Sequence, residues 1–185
     1  NLDPSPIRQF ELWFRDASET TAIIEPNAMV LSTVDETGRP TLRSVLLKLF
    51  DESGFVFFTN GTSRKAKQIA GNQNVALLFP WYGLQRQVEI NGIAERVSVA
   101  EAMKYFALRP RGSQLGAWVS RQSSVVPTLS VLHSKLDEMT KKFSSGAIPM
   151  PPTWGGYRVK PLRMEFWQGG VNRLHNRIQY TFSKD

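Results

Sequence analysis

The chain has 185 residues, with 23 Lys and Arg against 16 Asp and Glu, so its formal charge is +7 and one core suits its length. It has no cysteine and two histidines, His133 and His175, which excludes a disulfide scaffold, a thiolate zinc or iron–sulfur site, a cysteine nucleophile and a multi-histidine metal centre. No apolar run approaches the ~20 residues of a membrane span, and Asn1-Leu2-Asp3-Pro4 lacks the pattern of a signal peptide, so the expectation is a soluble, cytoplasmic protein with a single domain over residues 1–185.

Residues 3–18 carry Pro4 and Pro6, then Ile7, Phe10, Leu12, Trp13 and Phe14 at roughly helical spacing, which predicts a short amphipathic helix. From Ala28 the texture turns to β. Met29 to Val34, Thr41 to Phe50 and Phe55 to Thr59 are joined by acidic, glycine-containing turns, the pattern of an antiparallel meander. Ser63 to Ala70 reads as a helix capped by Ser63 and stopped at Gly71-Asn72. Two strands follow, Val75 to Phe79 and Gln87 to Asn91, then a capping box at Ser98 to Glu101 that opens a helix ending near Arg109, before Pro110. Pro127 to Phe143 is the longest helix predicted, with Leu129, Leu132, Leu136, Met139 and Phe143 on one stripe. Tyr157 to Trp167 and Arg177 to Phe182 read as strands. Six or seven strands interrupted by helices favour a closed β-barrel with helical decoration over a doubly wound sheet, so the class is β-rich α+β.

Cations occur in four settings. Arg43-Ser44-Val45-Leu46-Leu47-Lys48 places two of them at an odd separation, hence on opposite faces of a regular strand, so they cannot both grip one anion unless a bulge shifts the register or they serve different groups; from pattern alone the commoner reading is a barrel strand whose cations reach solvent. Thr62-Ser63-Arg64-Lys65 sits where a strand feeds a helix, so backbone N–H groups, a hydroxyl and two cations converge in a volume suited to phosphate; an ordinary solvated helix start is the simpler alternative. Tyr105 and Arg109 share a helix face, and Arg111-Gly112-Ser113 follows Pro110, a combination able to form a second oxyanion site. Finally, Glu165 to Gly170 precedes Arg173-Leu174-His175-Asn176-Arg177. If that segment is extended, Arg173, His175 and Arg177 lie on one side near Trp167, a setting for a flat anionic substrate or simply a basic surface loop. Gln122-Ser123-Ser124 reads as a polar loop, and His133 as a bystander on its helix.

The order and wording of these segments resemble the pyridoxine (pyridoxamine) 5′-phosphate oxidase family, flavoproteins of the FMN-binding split-barrel fold. The resemblance rests on Arg43 to Lys48, Phe57-Phe58-Thr59-Asn60 with Ser63-Arg64-Lys65, Arg86-Gln87-Val88, Tyr105-Phe106 with Arg109 to Gln114, Gln122-Ser123-Ser124, Trp154-Gly155-Gly156, Glu165 to Gly169 and Arg173-Leu174-His175. These stretches are collinear over nearly the whole chain. The resemblance implies an antiparallel Greek-key split barrel and FMN contacts from Arg43, Ser44, Val45, Leu46, Leu47, Lys48, Phe58, Thr59, Arg64, Lys65, Gln87, Gln122, Ser123, Trp167 and Arg177. It implies a substrate phosphate held by Lys48, Tyr105, Arg109 and Ser113. Arg173, Leu174 and His175 would meet the reacting end of the pyridine, with Arg173 and His175 catalytic. It further implies a homodimer that oxidises pyridoxine 5′-phosphate and pyridoxamine 5′-phosphate to pyridoxal 5′-phosphate in vitamin B6 salvage, with molecular oxygen as acceptor and hydrogen peroxide as product.

Departures from the family pattern are Asn176 where the usual residue is Asp, Ala66 where many members have Gly, and an end at Asp185 before the usual Trp and Arg-Leu-Ala-Pro. Two rivals stay open: a sister oxidase of the phenazine-biosynthesis branch, and a non-catalytic basic binder of nucleic acid. Retention of Lys48, Tyr105, Arg109 and Ser113 argues for a phosphorylated substrate over the first. Scatter of the cations among separate motifs, in place of one continuous basic face, argues against the second.

Overall fold

The computed structural model describes residues 2–119, 122–123 and 128–182. The chain folds as two compact units. The first comprises Asn1–Phe57, Gln68–Glu95 and Arg158–Asp185, the second Phe58–Lys67 and Arg96–Tyr157. Among the described residues there are eight strands: β1 (Ala28–Val34), β2 (Pro40–Leu46), β3 (Leu49–Asp51), β4 (Gly54–Asn60), β5 (Asn74–Trp81), β6 (Arg86–Arg96), β7 (Trp154–Gln168) and β8 (Asn176–Thr181). Their order is β2-β1-β5-β6-β7-β4-β3, with β8 paired to β7. Among the described residues the path has two ends, β2 and β3, so the ladder is split where a closed barrel was expected from the pattern.

In the first unit, α1 (Pro6–Glu19) begins where Ser5 Oγ accepts the Arg8 N–H, and it buries Ile7, Phe10, Trp13 and Ala17 along one stripe. Phe10 is fully buried and meets Phe50, Phe55 and Phe79 edge-on, at ring-centre distances of 5.0, 4.9 and 4.9 Å. This is the geometry aromatic quadrupoles prefer. The β1–β2 hairpin closes on Asp35, whose Oδ1 accepts from the Thr37 N–H, the Thr37 hydroxyl and the Arg39 N–H. Those bonds, the Thr37 hydroxyl first, hold the Asp35 carboxyl below its ordinary range.

The strand expected from Thr41 to Phe50 is two strands. β2 stops at Leu46, Leu47 N–H donates to Asn27 O at 2.8 Å, and Lys48 N–H donates to Val56 O at 2.9 Å. The alternation that put Arg43 and Lys48 on opposite faces therefore does not run through to Lys48. After the break, β3 and β4 form a tight hairpin at Gly54. Its φ of +125° and a would-be Cβ only 2.2 Å from Val159 O leave room for glycine alone.

In the second unit, α3 (Val99–Leu108) is capped as expected, with Ser98 Oγ accepting the Glu101 N–H. The segment after Pro110 forms a helix that the proline break concealed. It is α4 (Arg111–Val119), opened by Pro110 O accepting from the Ser113 and Gln114 N–H groups. The helix predicted over 127–143 is α5 (Leu129–Lys142), with 14 residues, the same as α1. Its apolar stripe is only partly used: Leu129 is 74% exposed, whereas Met139 and Phe143 pack on the cluster of Phe106, Leu115 and Ile148. In chain order, α2 (Arg64–Gly71) follows β4, and Ser63 Oγ accepts the Ala66 N–H at 3.4 Å, as its capping role predicts.

Because Phe10 joins α1 to three strands, Phe10→Ala should lower unfolding free energy by roughly 3–5 kcal/mol, read from urea denaturation. A loss below about 1 kcal/mol would show that α1 is only loosely attached.

Candidate active site

Within the second unit, residues separated by about sixty positions converge. Lys65 Nζ donates to Thr59 Oγ1 and to Gln122 Oε1, both at 3.2 Å, and Thr59 Oγ1 donates to Gln122 Oε1 at 2.9 Å. The Arg64 N–H, in the first turn of α2, donates to Ser123 Oγ at 3.1 Å. Ser123 itself has a φ of +63°, so the polar loop is held in a turned conformation unusual for serine. An ammonium, hydroxyls, an amide and a helix-start N–H thus occupy one neighbourhood, the donor set of a phosphate site. Ser124 lies outside the described residues.

A second cluster in the same unit surrounds Arg109. Phe58 lies parallel to Tyr105 at 4.2 Å and to Trp154 at 4.9 Å between ring centres. The Arg109 guanidinium stands 5.2 Å from the Trp154 ring centre and 5.7 Å from that of Phe106. Arg109 Nη1 is buried, and among the described residues it has no hydrogen-bond acceptor. Burial lowers the Arg109 pKa from its ordinary value and raises that of Tyr105, while the charge of Arg109 partly offsets the rise. Tyr105 is therefore a phenol that keeps its proton, beside a cation with a spare donor. Ser113 is exposed in the first turn of α4.

In the first unit, Arg43 is held by uncharged oxygens: Nη1 donates to Thr33 Oγ1 at 2.5 Å and Leu31 O at 3.2 Å, Nη2 to Thr41 Oγ1 at 2.5 Å and Gln68 Oε1 at 3.2 Å. Ser44 is exposed on β2, Val45 and Leu46 are half-buried, Leu47 is buried, and Lys48 is half-buried in the break. A cavity of about 420 Å³ opens between Tyr82, Gln85, Gln87, Trp167, Gly170 and His175. The rings of Trp167 and His175 lie 4.6 Å apart. His175 Nδ1 accepts the Gly170 N–H at 3.2 Å, so a neutral imidazole carries its proton on Nε2.

The extended 173–177 segment expected from alternation is not what forms. Val171–Arg173 makes a 3-10 turn, with φ of +54° at Asn172 and +63° at Arg173, and the strand begins only at Asn176. Arg173 and Leu174 are exposed in that turn. Arg177 sits opposite Trp167 in the β7–β8 register and forms a two-pronged pair with Glu165, at 3.1 and 3.0 Å. This hydrogen-bonded pairing raises the Arg177 pKa further. The sequence pattern missed Tyr82 and Gln85 of the cavity wall and Gln68 behind Arg43, since no motif marks them. Trp154 stood in a matching stretch without an assigned role.

The chain matches the family model described as Pyridoxamine 5'-phosphate oxidase over residues 17–143, and that of the Pyridoxine 5'-phosphate oxidase C-terminal dimerisation region over residues 154–185. A pyridoxine/pyridoxamine 5′-phosphate oxidase of Crocosphaera subtropica is 56% identical over 184 residues, which cover 100% of this chain and 86% of that protein. One from Aliarcobacter butzleri is 51% identical over 185 residues, 100% of this chain and 87% of its own. Among solved structures, PhzG from Burkholderia lata 383, in complex with tetrahydrophenazine-1-carboxylic acid, has a TM-score of 0.91 at 29% identity, covering 98% of this chain and 89% of that one. A pyridoxamine 5′-phosphate oxidase-related, FMN binding protein from Nostoc punctiforme shares the fold, with a TM-score of 0.69 at 12% identity over 99% of this chain and 100% of that one.

Fold and relatives together define an oxidoreductase built on the FMN-binding split barrel. The chain belongs to the pyridoxine/pyridoxamine 5′-phosphate oxidase family. No helix among the described residues is long and apolar enough to cross a membrane.

Arg109 Nη1 is a buried donor with no acceptor among the described residues, a position that costs stability. Arg109→Met should leave the melting temperature unchanged or raise it, whereas a fall of more than about 4 °C would show that the guanidinium supports the fold.

Proposed function

We propose that the chain oxidises pyridoxine 5′-phosphate and pyridoxamine 5′-phosphate to pyridoxal 5′-phosphate. Each turnover removes two electrons and two protons from the C4′ carbon substituent and reduces molecular oxygen to hydrogen peroxide; the amine also takes up water and releases ammonia. The observation that carries a phosphorylated substrate is the buried Arg109 Nη1, which has no acceptor among the described residues, beside a protonated Tyr105. A half-buried guanidinium whose buried nitrogen has no acceptor among the described residues matches a phosphate oxygen better than any neutral group.

FMN fits the donor set around Lys65: Thr59, the Arg64 N–H, Gln122 and Ser123 supply what its phosphate needs. When bound, FMN supplies the hydride acceptor and the route of electrons to oxygen. By the family pattern, Arg43, Ser44, Val45, Leu46, Leu47, Lys48, Phe58, Gln87, Trp167 and Arg177 complete its contacts. Lys48, Tyr105, Arg109 and Ser113 take the substrate phosphate. Arg173 and Leu174 hold the pyridine, and His175, with its proton on Nε2, donates to the C4′ substituent from beside Trp167. Anchoring a flat substrate at its phosphate converts binding into orientation, worth about 7–11 kcal/mol in the most favourable intramolecular cases.

We assign the protein as a homodimer, supported by the match of residues 154–185 to a dimerisation region. The sister reading, a phenazine-type oxidase, rests on the likeness to PhzG at 29% identity; relatives at 51–56% identity carry the oxidase name instead.

Purified protein titrated with FMN should take up flavin stoichiometrically and release peroxide with either phosphorylated vitamer. A protein that binds no flavin, or binds it and releases no peroxide with both, contradicts the reading. Arg173→Ala and His175→Asn should slow turnover about 10²-fold or more with flavin still bound, and flavin loss in both would overturn their assignment to the substrate.

A further inference from the structure

The turn that carries Arg173 and His175 is pinned at its base by residues with no assigned role. Gln168, the last residue of β7, accepts the Arg86 Nε–H on Oε1 at 2.7 Å, and its Nε2 donates to Leu84 O at 3.3 Å and Gln85 O at 3.2 Å. Gln85 O also accepts the Gly169 N–H at 2.7 Å. Arg86 in turn reaches α1: its Nη1 pairs with Asp16 Oδ2 at 2.8 Å, and its guanidinium lies 4.6 Å from the Trp13 ring centre. All of these groups belong to the first unit.

The geometry around the pin leaves little slack. Gln85 is left-handed, with φ +51° and ψ +40°, a conformation that turns its carbonyl into the shared acceptor. A Cβ at Gly169 would stand 2.9 Å from Gln85 Cβ, and one at Gly170 would stand 2.0 Å from Leu174 O. Gly170 is also the residue whose N–H fixes His175 Nδ1. The chain of contacts therefore runs without interruption from α1 through Arg86 and Gln168 to the imidazole.

We infer that Arg86 and Gln168 are positioning residues that lock the 169–175 turn and, through Gly170, hold His175 in one tautomer and orientation. The inference rests on the proposed substrate role of His175. Each side of the latch is amply bonded: the amide of Gln168 uses both its oxygen and its nitrogen, and Arg86 is fixed by a carboxylate, an amide and an aromatic face. A supporting shell of this kind decides whether a reacting group sits within the tolerance that catalysis demands, and displacement by about 1 Å costs on the order of 10²-fold in rate.

The test uses Arg86→Lys, which keeps a cation opposite Asp16 but loses the Nε–H to Gln168, and Gln168→Met, which keeps the volume and loses the amide. In the FMN-loaded enzyme, both variants should lower kcat with pyridoxine 5′-phosphate by about 10- to 100-fold, with flavin affinity and melting temperature close to the parent. Combined with His175→Asn, neither should slow turnover further, because both act through the same imidazole. Unchanged kcat, losses that multiply with that of His175→Asn, or losses matched by lowered melting temperature and flavin affinity would each overturn the latch. A readout independent of turnover is available because the chain has only His133 and His175. Imidazole nitrogen NMR should show His175 as the Nε2–H tautomer in the parent and as a tautomer mixture in both variants, with His133 unmoved; an unaltered His175 signal overturns the latch. If His175→Asn itself turns over at the parental rate, the substrate role of His175 has failed, and the NMR comparison still judges the latch.

Discussion

A half-buried guanidinium set against aromatic faces, with one buried nitrogen that has no acceptor among the described residues, is the constraint on which the rest of the account depends. Removing a donor from water without a partner costs free energy that the fold must recover elsewhere. Arg109 recovers part of it from the faces of Trp154 and Phe106. Those contacts stabilise the charge but leave its directional hydrogen bond unused. Such an arrangement has a physical purpose where a ligand brings the missing oxygen, and Tyr105, kept protonated by burial, offers a second donor beside it. Strain of this kind belongs at sites of function, where stability is traded for readiness.

The other cations show how different a structural role looks. Arg158 with Asp51, Lys160 with Glu95, Arg163 with Glu89 and Arg177 with Glu165 are carboxylate pairs within the first unit. Most are partly exposed and contribute little individually to stability, but they define geometry, as the Arg163 bridge from Glu89 to Asn91 does across β6 and β7. Lys65 and Arg43 also donate to hydroxyl, amide and carbonyl oxygens, which help to orient each cation.

Much of this was legible before any coordinates. The caps at Ser63 and Ser98, the β1–β2 hairpin at Asp35 to Gly38 and the apolar stripe of α1 follow from local chemistry, and each forms where the residues predict it. The neighbourhood of Lys65 could be anticipated only in part: a strand-to-helix junction signals a phosphate, but Gln122 joins it across more than fifty residues through tertiary folding. Local rules reach only as far as the local structure that supports them. Strict alternation holds only for a regular strand: main-chain bonds to Asn27 and Val56 end it before Lys48, and two left-handed residues turn the chain at Asn172 and Arg173. Pro110 ends α3 at Arg109, and its carbonyl also starts α4. The cavity wall at Tyr82 and Gln85 carries no motif, because its shape depends on a backbone conformation that side-chain identity at Gln85 does not announce.

The central claim, that Arg109 is held ready for a phosphate oxygen, is tested most directly by comparing kcat/KM for pyridoxine 5′-phosphate with that for unphosphorylated pyridoxine, in the parent and in Arg109→Met. A site built around an unsatisfied donor should discriminate by roughly 10³-fold or more in the parent, and most of that ratio should vanish in the variant. Equal kcat/KM for the two compounds in the parent, or a ratio untouched by loss of the guanidinium, would contradict the account.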